Sequence, residues 1–200
     1  MNRALIVIDV QNEYFTGNLP IAYPPREESL AAILRAMDAA ERHGIPIIVV
    51  RHTLPAGWPL FAEGSHGWEL REEVASRPYT HLVTKTAASA FTGTDLAEKL
   101  EGIDTVAIAG YMTQNCDEST ARDAYNLGLT VEFLSDATGT VPLTNSAGTL
   151  SAKEVHEHVL VVMQSNFAAV ATTDEWIEAV AAGAPLNRSN LWESTELARA

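Results

Sequence analysis

A three-layer α/β/α sandwich, built on a doubly wound, mostly parallel sheet of six strands, is predicted by three features of this 200-residue sequence. Six short segments are apolar without strict alternation, the pattern of strands buried on both faces. Helical periodicity fills the stretches between them. Glycines stand at the joints, where a helix ends and the next strand begins.

The elements follow in order. The first strand is read over residues 4–10, an unbroken Ala-Leu-Ile-Val-Ile run closed by Asp9 and Val10. Leu30, Ile33, Leu34 and Met37 then recur at three- and four-residue spacing, the stripe of a helix with one buried face. Gly44 ends that helix and precedes the second strand, residues 45–51. The third strand is read over His81–Lys85, and Gly102 introduces the fourth at residues 105–110. A helix carrying Ala121, Ala124 and Tyr125 ends at Gly128, ahead of a fifth strand over 130–135. Val155, Val159, Val162 and Met163 mark the next helix, and residues 168–172 the sixth strand. Strands and helices alternating through short connections require right-handed crossovers, which place helices on both faces of the sheet.

Two stretches lack a period and are read as loops, residues 53–77 and 138–150. The first holds Pro55, Gly57, Pro59 and Gly64 with the aromatics Trp58, Phe61 and Trp68. A loop of that length in a compact domain is functional or an interface, and aromatics suit a pocket and a subunit contact equally. The domain is assigned to residues 1–183. The tail, 184–200, reads as a loosely ordered extension or an arm onto a partner subunit.

Charge and composition narrow the function. The chain carries 13 Lys and Arg against 26 Asp and Glu, a formal charge of −13, with 46% apolar residues. That acidity argues against nucleic acid or an anionic membrane as partner, since both require clustered cations. No apolar run approaches the ~18–20 residues that span a bilayer. Met1-Asn2-Arg3 passes straight into the first strand, so no signal peptide is expected. The single cysteine, Cys116, leaves no internal disulfide, and a reducing, cytoplasmic location is expected. No glycine-rich loop follows the first strand, which disfavours nucleotide binding.

Ligands of an open parallel sheet bind outside the carboxyl ends of its strands, so polar residues there carry information. Asp9 closes the first strand, Lys85 ends the third, and Cys116 follows the fourth, where a helix is expected to start near Thr113. A helix start and a nearby ammonium both favour a thiolate. Asp9 is placed to take the thiol proton and pass it to a leaving group, while N–H groups at the helix start face a developing oxyanion. Those are the parts of acyl transfer through a thioester. Singly, each residue has a plain structural reading: an inert thiol, a turn cap, a surface lysine. Their convergence at three strand ends points to catalysis. His52 and His66, with Glu63, match no standard metal spacing and are read as hydrogen-bonded structural residues. His43, His81, His156 and His158 are read as surface or helix residues.

Three motifs in order carry a family resemblance. They are Val7-Ile8-Asp9-Val10-Gln11-Asn12-Glu13-Tyr14-Phe15, the run from Lys85-Thr86-Ala87-Ala88-Ser89-Ala90-Phe91 to Leu96, and Ala109-Gly110-Tyr111-Met112-Thr113-Gln114-Asn115-Cys116 followed by Thr120-Ala121-Arg122-Asp123-Ala124. Over residues 3–182 the chain resembles the isochorismatase-like cysteine hydrolase superfamily, a Rossmann-like fold. That superfamily includes nicotinamidase, N-carbamoylsarcosine amidase, ureidoacrylate and maleamate amidohydrolases, and isochorismatase.

The resemblance implies that Asp9, Lys85 and Cys116 form the catalytic triad and that Tyr111–Met112 is a cis peptide. It also implies an oxyanion hole from the N–H groups of Met112 and Cys116, with Tyr14, Phe91 and Tyr111 near the substrate. By analogy a homo-oligomer, dimer or tetramer, is expected. Two departures matter. Asp117 stands where the family often has an apolar residue, and is expected to face away or to meet a cation such as Arg122. The Asp-x-His metal motif of nicotinamidases is absent from Val50-Arg51-His52-Thr53-Leu54-Pro55, so no metal and no cofactor is expected. The expected activity is hydrolysis of a small-molecule amide or ureido C–N bond through a thioester. The alternatives are vinyl-ether hydrolysis with Asp9 as general acid, or a non-catalytic binding protein on the same fold.

Overall fold

The computed structural model describes residues 1–200. Six strands form the central sheet: β1 (Arg3–Ile8), β2 (Ile47–His52), β3 (His81–Lys85), β4 (Thr105–Tyr111), β5 (Thr130–Gly139) and β8 (Ala169–Ala171). Their order is β3-β2-β1-β4-β5-β8, and every neighbouring pair is parallel. The sheet is thus fully parallel, as the unbroken apolar runs require.

Successive side chains of each strand feed two separate cores. Leu5 and Val7 of β1, Ile47 and Val49 of β2, and Ala107 and Ala109 of β4 pack under α1 (Arg26–Arg42) and α6 (Thr173–Ala182). Ala4, Ile6, Ile8, Ile48, Val50 and Ile108 pack on the other face under α4 (Glu118–Asn126) and α5 (Ala152–Val162). Three short helices complete the chain: α2 (Glu72–Ala75), α3 (Leu96–Lys99) and α7 (Leu191–Leu197). No helix is long and apolar enough to cross a membrane.

Three features differ from the sequence reading. β5 continues to Gly139, because Thr138 and Gly139 pair with Gly110 and Tyr111 beyond an irregularity in β4–β5 pairing. Within 138–150, a two-stranded antiparallel hairpin forms from β6 (Leu143–Asn145) and β7 (Gly148–Leu150); its exposed residues bury no face, so no apolar alternation marks it. The tail contains a short helix: Gln164 Nε2 donates to Asn187 O at 3.3 Å, Arg188 lies over the Tyr125 ring, and Asn190 caps α7.

A buried ion pair fastens the amino-terminal edge of the sheet. Arg3 on β1 grips Glu132 on β5 with Nε and Nη2, Trp176 Nε1 on α6 donates to Glu132 Oε2 at 2.8 Å, and Arg3 Nη2 also holds Ala184 O at 2.6 Å. Each buried charge is therefore partnered by the other and by neutral groups, as burial demands. The carboxyl edge, by contrast, is left to chemistry. Strand order reverses direction between β1 and β4, and the crevice outside their carboxyl ends is where such sheets bind ligands.

Candidate active site

Asp9 is the first residue after β1 and takes a left-handed backbone, φ 53°. The bend turns its side chain from the strand's own alternation into the crevice. Asp9 N donates to Val50 O at 2.9 Å, and Gln11 N donates to Asp9 O at 2.8 Å, so hydrogen bonds on both sides hold the unusual conformation. Gln11 locks the adjoining strand end: its amide donates to His52 O and Trp68 O and accepts from His52 N.

Lys85 comes from the end of β3, in register beside His52 of β2. Its ammonium, 1% exposed, lies 2.7 Å from Asp9 Oδ2. It also reaches Ala87 O at 3.1 Å, His52 Nδ1 at 3.1 Å and Cys116 Sγ at 3.3 Å. Cys116 sits in a π-helical turn, Thr113–Asp117, that joins β4 to α4. The turn is anchored from outside by Thr113 Oγ1 on His156 Nδ1 at 2.9 Å and by Thr140 Oγ1 donating to Gln114 Oε1 at 2.5 Å. Asp9, His52 and Cys116 each bring a side-chain ligand atom within 4.8 Å of the others. The acid, the amine and the sulfur therefore share one point.

Lys85 pulls the Cys116 thiol toward the thiolate, as expected, but burial first and the Asp9 carboxylate second raise it, and the pull of Lys85 does not cancel them. Burial also raises the Asp9 carboxyl against the pull of Lys85. It works against the Lys85 ammonium as well, but Asp9 and then Cys116 outweigh it, and the lysine pKa rises. The resting arrangement is a neutral thiol beside a carboxylate–ammonium pair.

A cleft of about 270 Å³ opens onto the sulfur, lined among others by Tyr14, Leu54, Phe61, Ala88 and Met112. Tyr111–Met112 is cis, and the Met112 N–H has no acceptor within the chain. Phe61, with φ 48°, belongs to the long loop, which therefore walls the cleft. Trp58 stands exposed, and Trp68 lies under the Arg51 guanidinium at 3.8 Å.

Two residues expected near the substrate do not line this cleft. The Tyr111 ring follows Ala107 and Ala109 to the α1 face of β4, where it packs on Tyr14 and Phe15 and its hydroxyl meets Ser29 Oγ at 2.9 Å; it backs Tyr14 rather than lining the cleft. Phe91 packs against the second core, and Ala88 of the same motif takes the place at the cleft. Two histidines gain roles that spacing along the chain did not reveal. His52 lines the cleft and touches Lys85, a contact implied only by the strand register. His156, buried on α5, braces the turn that carries Cys116.

The Isochorismatase domain family model matches residues 3–175. The chain belongs to the isochorismatase family. It is 31% identical over 179 residues to the isochorismatase family protein YrdC of Bacillus subtilis, covering 88% of this chain and 94% of that one. Nicotinamidase 3 of Arabidopsis thaliana is 29% identical over 86% of this chain and 85% of its own. A crystal structure from Burkholderia xenovorans LB400, solved under the isochorismatase name, superposes with a TM-score of 0.98 at 58% identity, over 99% of this chain and 96% of that one. The protein is a hydrolase of this family.

In this isochorismatase-family chain the residues do not fit a metal of the nicotinamidase kind. The Lys85 ammonium already occupies the point shared by Asp9, His52 and Cys116, and His66 turns away to Glu69 at 3.4 Å. A metal there would have to displace a buried cation from its counter-ion.

Asp117 departs from expectation. It neither faces solvent nor meets Arg122, which pairs with Glu118 at 2.6 Å instead. Its side chain is fully enclosed, and both oxygens lack a hydrogen-bond partner. Burial first, and Asp9 second, push its carboxyl well above the usual range against a smaller pull from Lys85. The folded protein therefore holds a proton here that the unfolded chain releases above about pH 4. Stability contributed by this residue falls as pH rises from there, because the folded state binds the extra proton. Asp117→Asn keeps the shape and removes the titration. Its thermal stability should match the parent's near pH 4 and exceed it increasingly toward pH 8, by up to ~1.4 kcal/mol per pH unit. A variant no more stable than the parent at pH 8 would contradict the protonated assignment.

Proposed function

We propose that this isochorismatase-family protein hydrolyses a small-molecule amide or ureido C–N bond through a thioester on Cys116. One observation carries the reading: a single buried ammonium touches both the carboxylate of Asp9, at 2.7 Å, and the sulfur of Cys116, at 3.3 Å, where the cleft meets the strand ends. The Arabidopsis relative, named as a nicotinamidase, is an amide hydrolase by that name, which supports amide chemistry here.

Because burial raises the thiol, the proton leaves Sγ as the sulfur attacks rather than beforehand. Asp9 takes that proton while a C–S bond forms at the substrate carbonyl, and the oxyanion faces the N–H groups of Met112 and Cys116. Asp9 returns the proton to the departing nitrogen as the C–N bond breaks. Water, deprotonated by the same carboxylate, then cleaves the thioester and frees the acid and the thiol. Lys85 remains an ammonium throughout and balances the negative charge, which passes from carboxylate to oxyanion and back.

Ammonia release from a panel of small amides and ureido compounds tests the reading, with Cys116→Ala as the blank. The variant should lose turnover by roughly 10⁴-fold or more, the scale on which removing a nucleophile acts. Full turnover by Cys116→Ala, with loss only in Asp9→Asn, would replace the thioester by vinyl-ether-type acid catalysis.

A further inference from the structure

We infer that the cleft selects uncharged amides bearing a compact apolar group and rejects amides that carry a carboxylate. This inference rests on the amide-hydrolase reading and deepens it.

Most of the lining is apolar. Leu19, Leu54, Leu60, Phe61, Ala88 and Met112 supply it, and the polar side-chain groups are the Tyr14 hydroxyl, His52, Asn115 and the Cys116 thiol, with no lysine or arginine among them. Asn115 is uncharged. His52 is neutral as well: burial first, and the Lys85 charge second, press its pKa down to about 4. Its Nδ1 faces an ammonium that has only hydrogens to offer, so Nδ1 accepts and the ring proton lies on Nε2. Such a ring donates to a carbonyl but brings no positive charge.

No lysine or arginine lines the cleft. Lys85 has three protons and four partners, among them the carboxylate of Asp9. Arg51 sits 3.8 Å over the Trp68 ring and precedes His52 on β2, so its side chain leaves the opposite face of the strand. Arg71 stacks on Phe15 and pairs with Glu73 at 2.6 Å. A substrate carboxylate entering this cleft would shed its water and meet leucine and phenylalanine in return, next to the buried charge of Asp9 and in a chain of net charge −13. The volume sets the size of the apolar group. About 270 Å³ holds roughly nine water-sized groups at ~30 Å³ each, a small branched or single-ring substituent beside the amide.

The test separates this selectivity from the hydrolysis itself. Binding is measured on the Cys116→Ala protein by protein-observed NMR, with 4-methylpentanamide and succinamate, an isosteric pair differing in charge. The neutral amide should bind about a hundredfold more tightly, the scale on which an unpaired buried charge is penalised. In the Leu60→Arg, Cys116→Ala double variant, which adds a cation at a half-buried wall position, the preference should reverse toward succinamate. Preferential binding of 4-methylpentanamide that the intact protein does not hydrolyse would overturn the amidase reading and uphold the selectivity. Equal or tighter binding of succinamate, binding by neither compound, or an unchanged preference after Leu60→Arg overturns the selectivity.

Discussion

Asp9→Asn should lower kcat/KM on any amide the protein turns over by about 10²–10⁴-fold, and should at the same time make Cys116 alkylate faster at neutral pH. The two effects have one cause. Asp9 is the proton acceptor in the proposed mechanism, so losing it removes general-base and general-acid help together. Its carboxylate is also the second-largest influence holding the thiol up, after burial. With an amide in its place, Lys85 keeps its pull on the sulfur without a competing anion. The ammonium then needs a new counter-ion, and the thiolate 3.3 Å away is the group able to become one. A buried charge left unpaired costs about 3–5 kcal/mol, which drives that ionisation. Iodoacetamide labelling followed by intact mass reads the outcome without ambiguity, because the chain has a single cysteine. Slower labelling of Asp9→Asn than of the parent protein would refute the idea that Lys85 ionises the thiol once its counter-ion is removed.

Gly110→Ala should unfold or nearly unfold the protein, at a cost above about 4 kcal/mol. A Cβ at Gly110 would stand 2.0 Å from Ile8 O and 2.6 Å from Ile8 N, and the residue has φ +129°, a conformation foreign to alanine. Neither obstacle yields. Ile8 belongs to β1, which is paired on one side with β2 and on the other with β4, so its backbone has no room to retreat. The position also directly precedes Tyr111 and the turn of the nucleophile, so partial accommodation would displace Cys116. Gly44→Ala is the control: it too has positive φ, at +68°, but nothing lies within 4 Å of its added Cβ. That variant should lose only ~1–2 kcal/mol, the conformational part alone. Denaturant unfolding of both proteins separates steric overlap from backbone preference, and equal losses would refute the overlap.

The sheet was legible in the sequence because burial on both faces leaves a visible trace. Runs such as Ala4-Leu5-Ile6-Val7-Ile8 have few alternatives once they alternate with amphipathic helices. Asp9, Lys85 and Cys116 were legible for a related reason: each interrupts or closes an apolar segment at the one sheet edge where such folds bind ligands. The hairpin of β6 and β7 left no trace, since none of its side chains is buried. The tail helix was missed although Asn190 is a good cap, because its apolar residues Leu191, Trp192 and Leu197 remain exposed and define no buried stripe.

Local sequence determined which segments become strands, which residues stand at their carboxyl ends, and that an acid, an amine and a thiol were the candidate set. Tertiary structure alone decided how those groups behave. Register placed His52 against Lys85, alternation along β4 sent Tyr111 behind Tyr14, and enclosure pushed up the Asp117 carboxyl beside Cys116. The division has a physical basis. Hydrophobic periodicity is a property of neighbours along the chain, whereas charge state and side-chain contact depend on desolvation and distances between segments that the chain order does not encode.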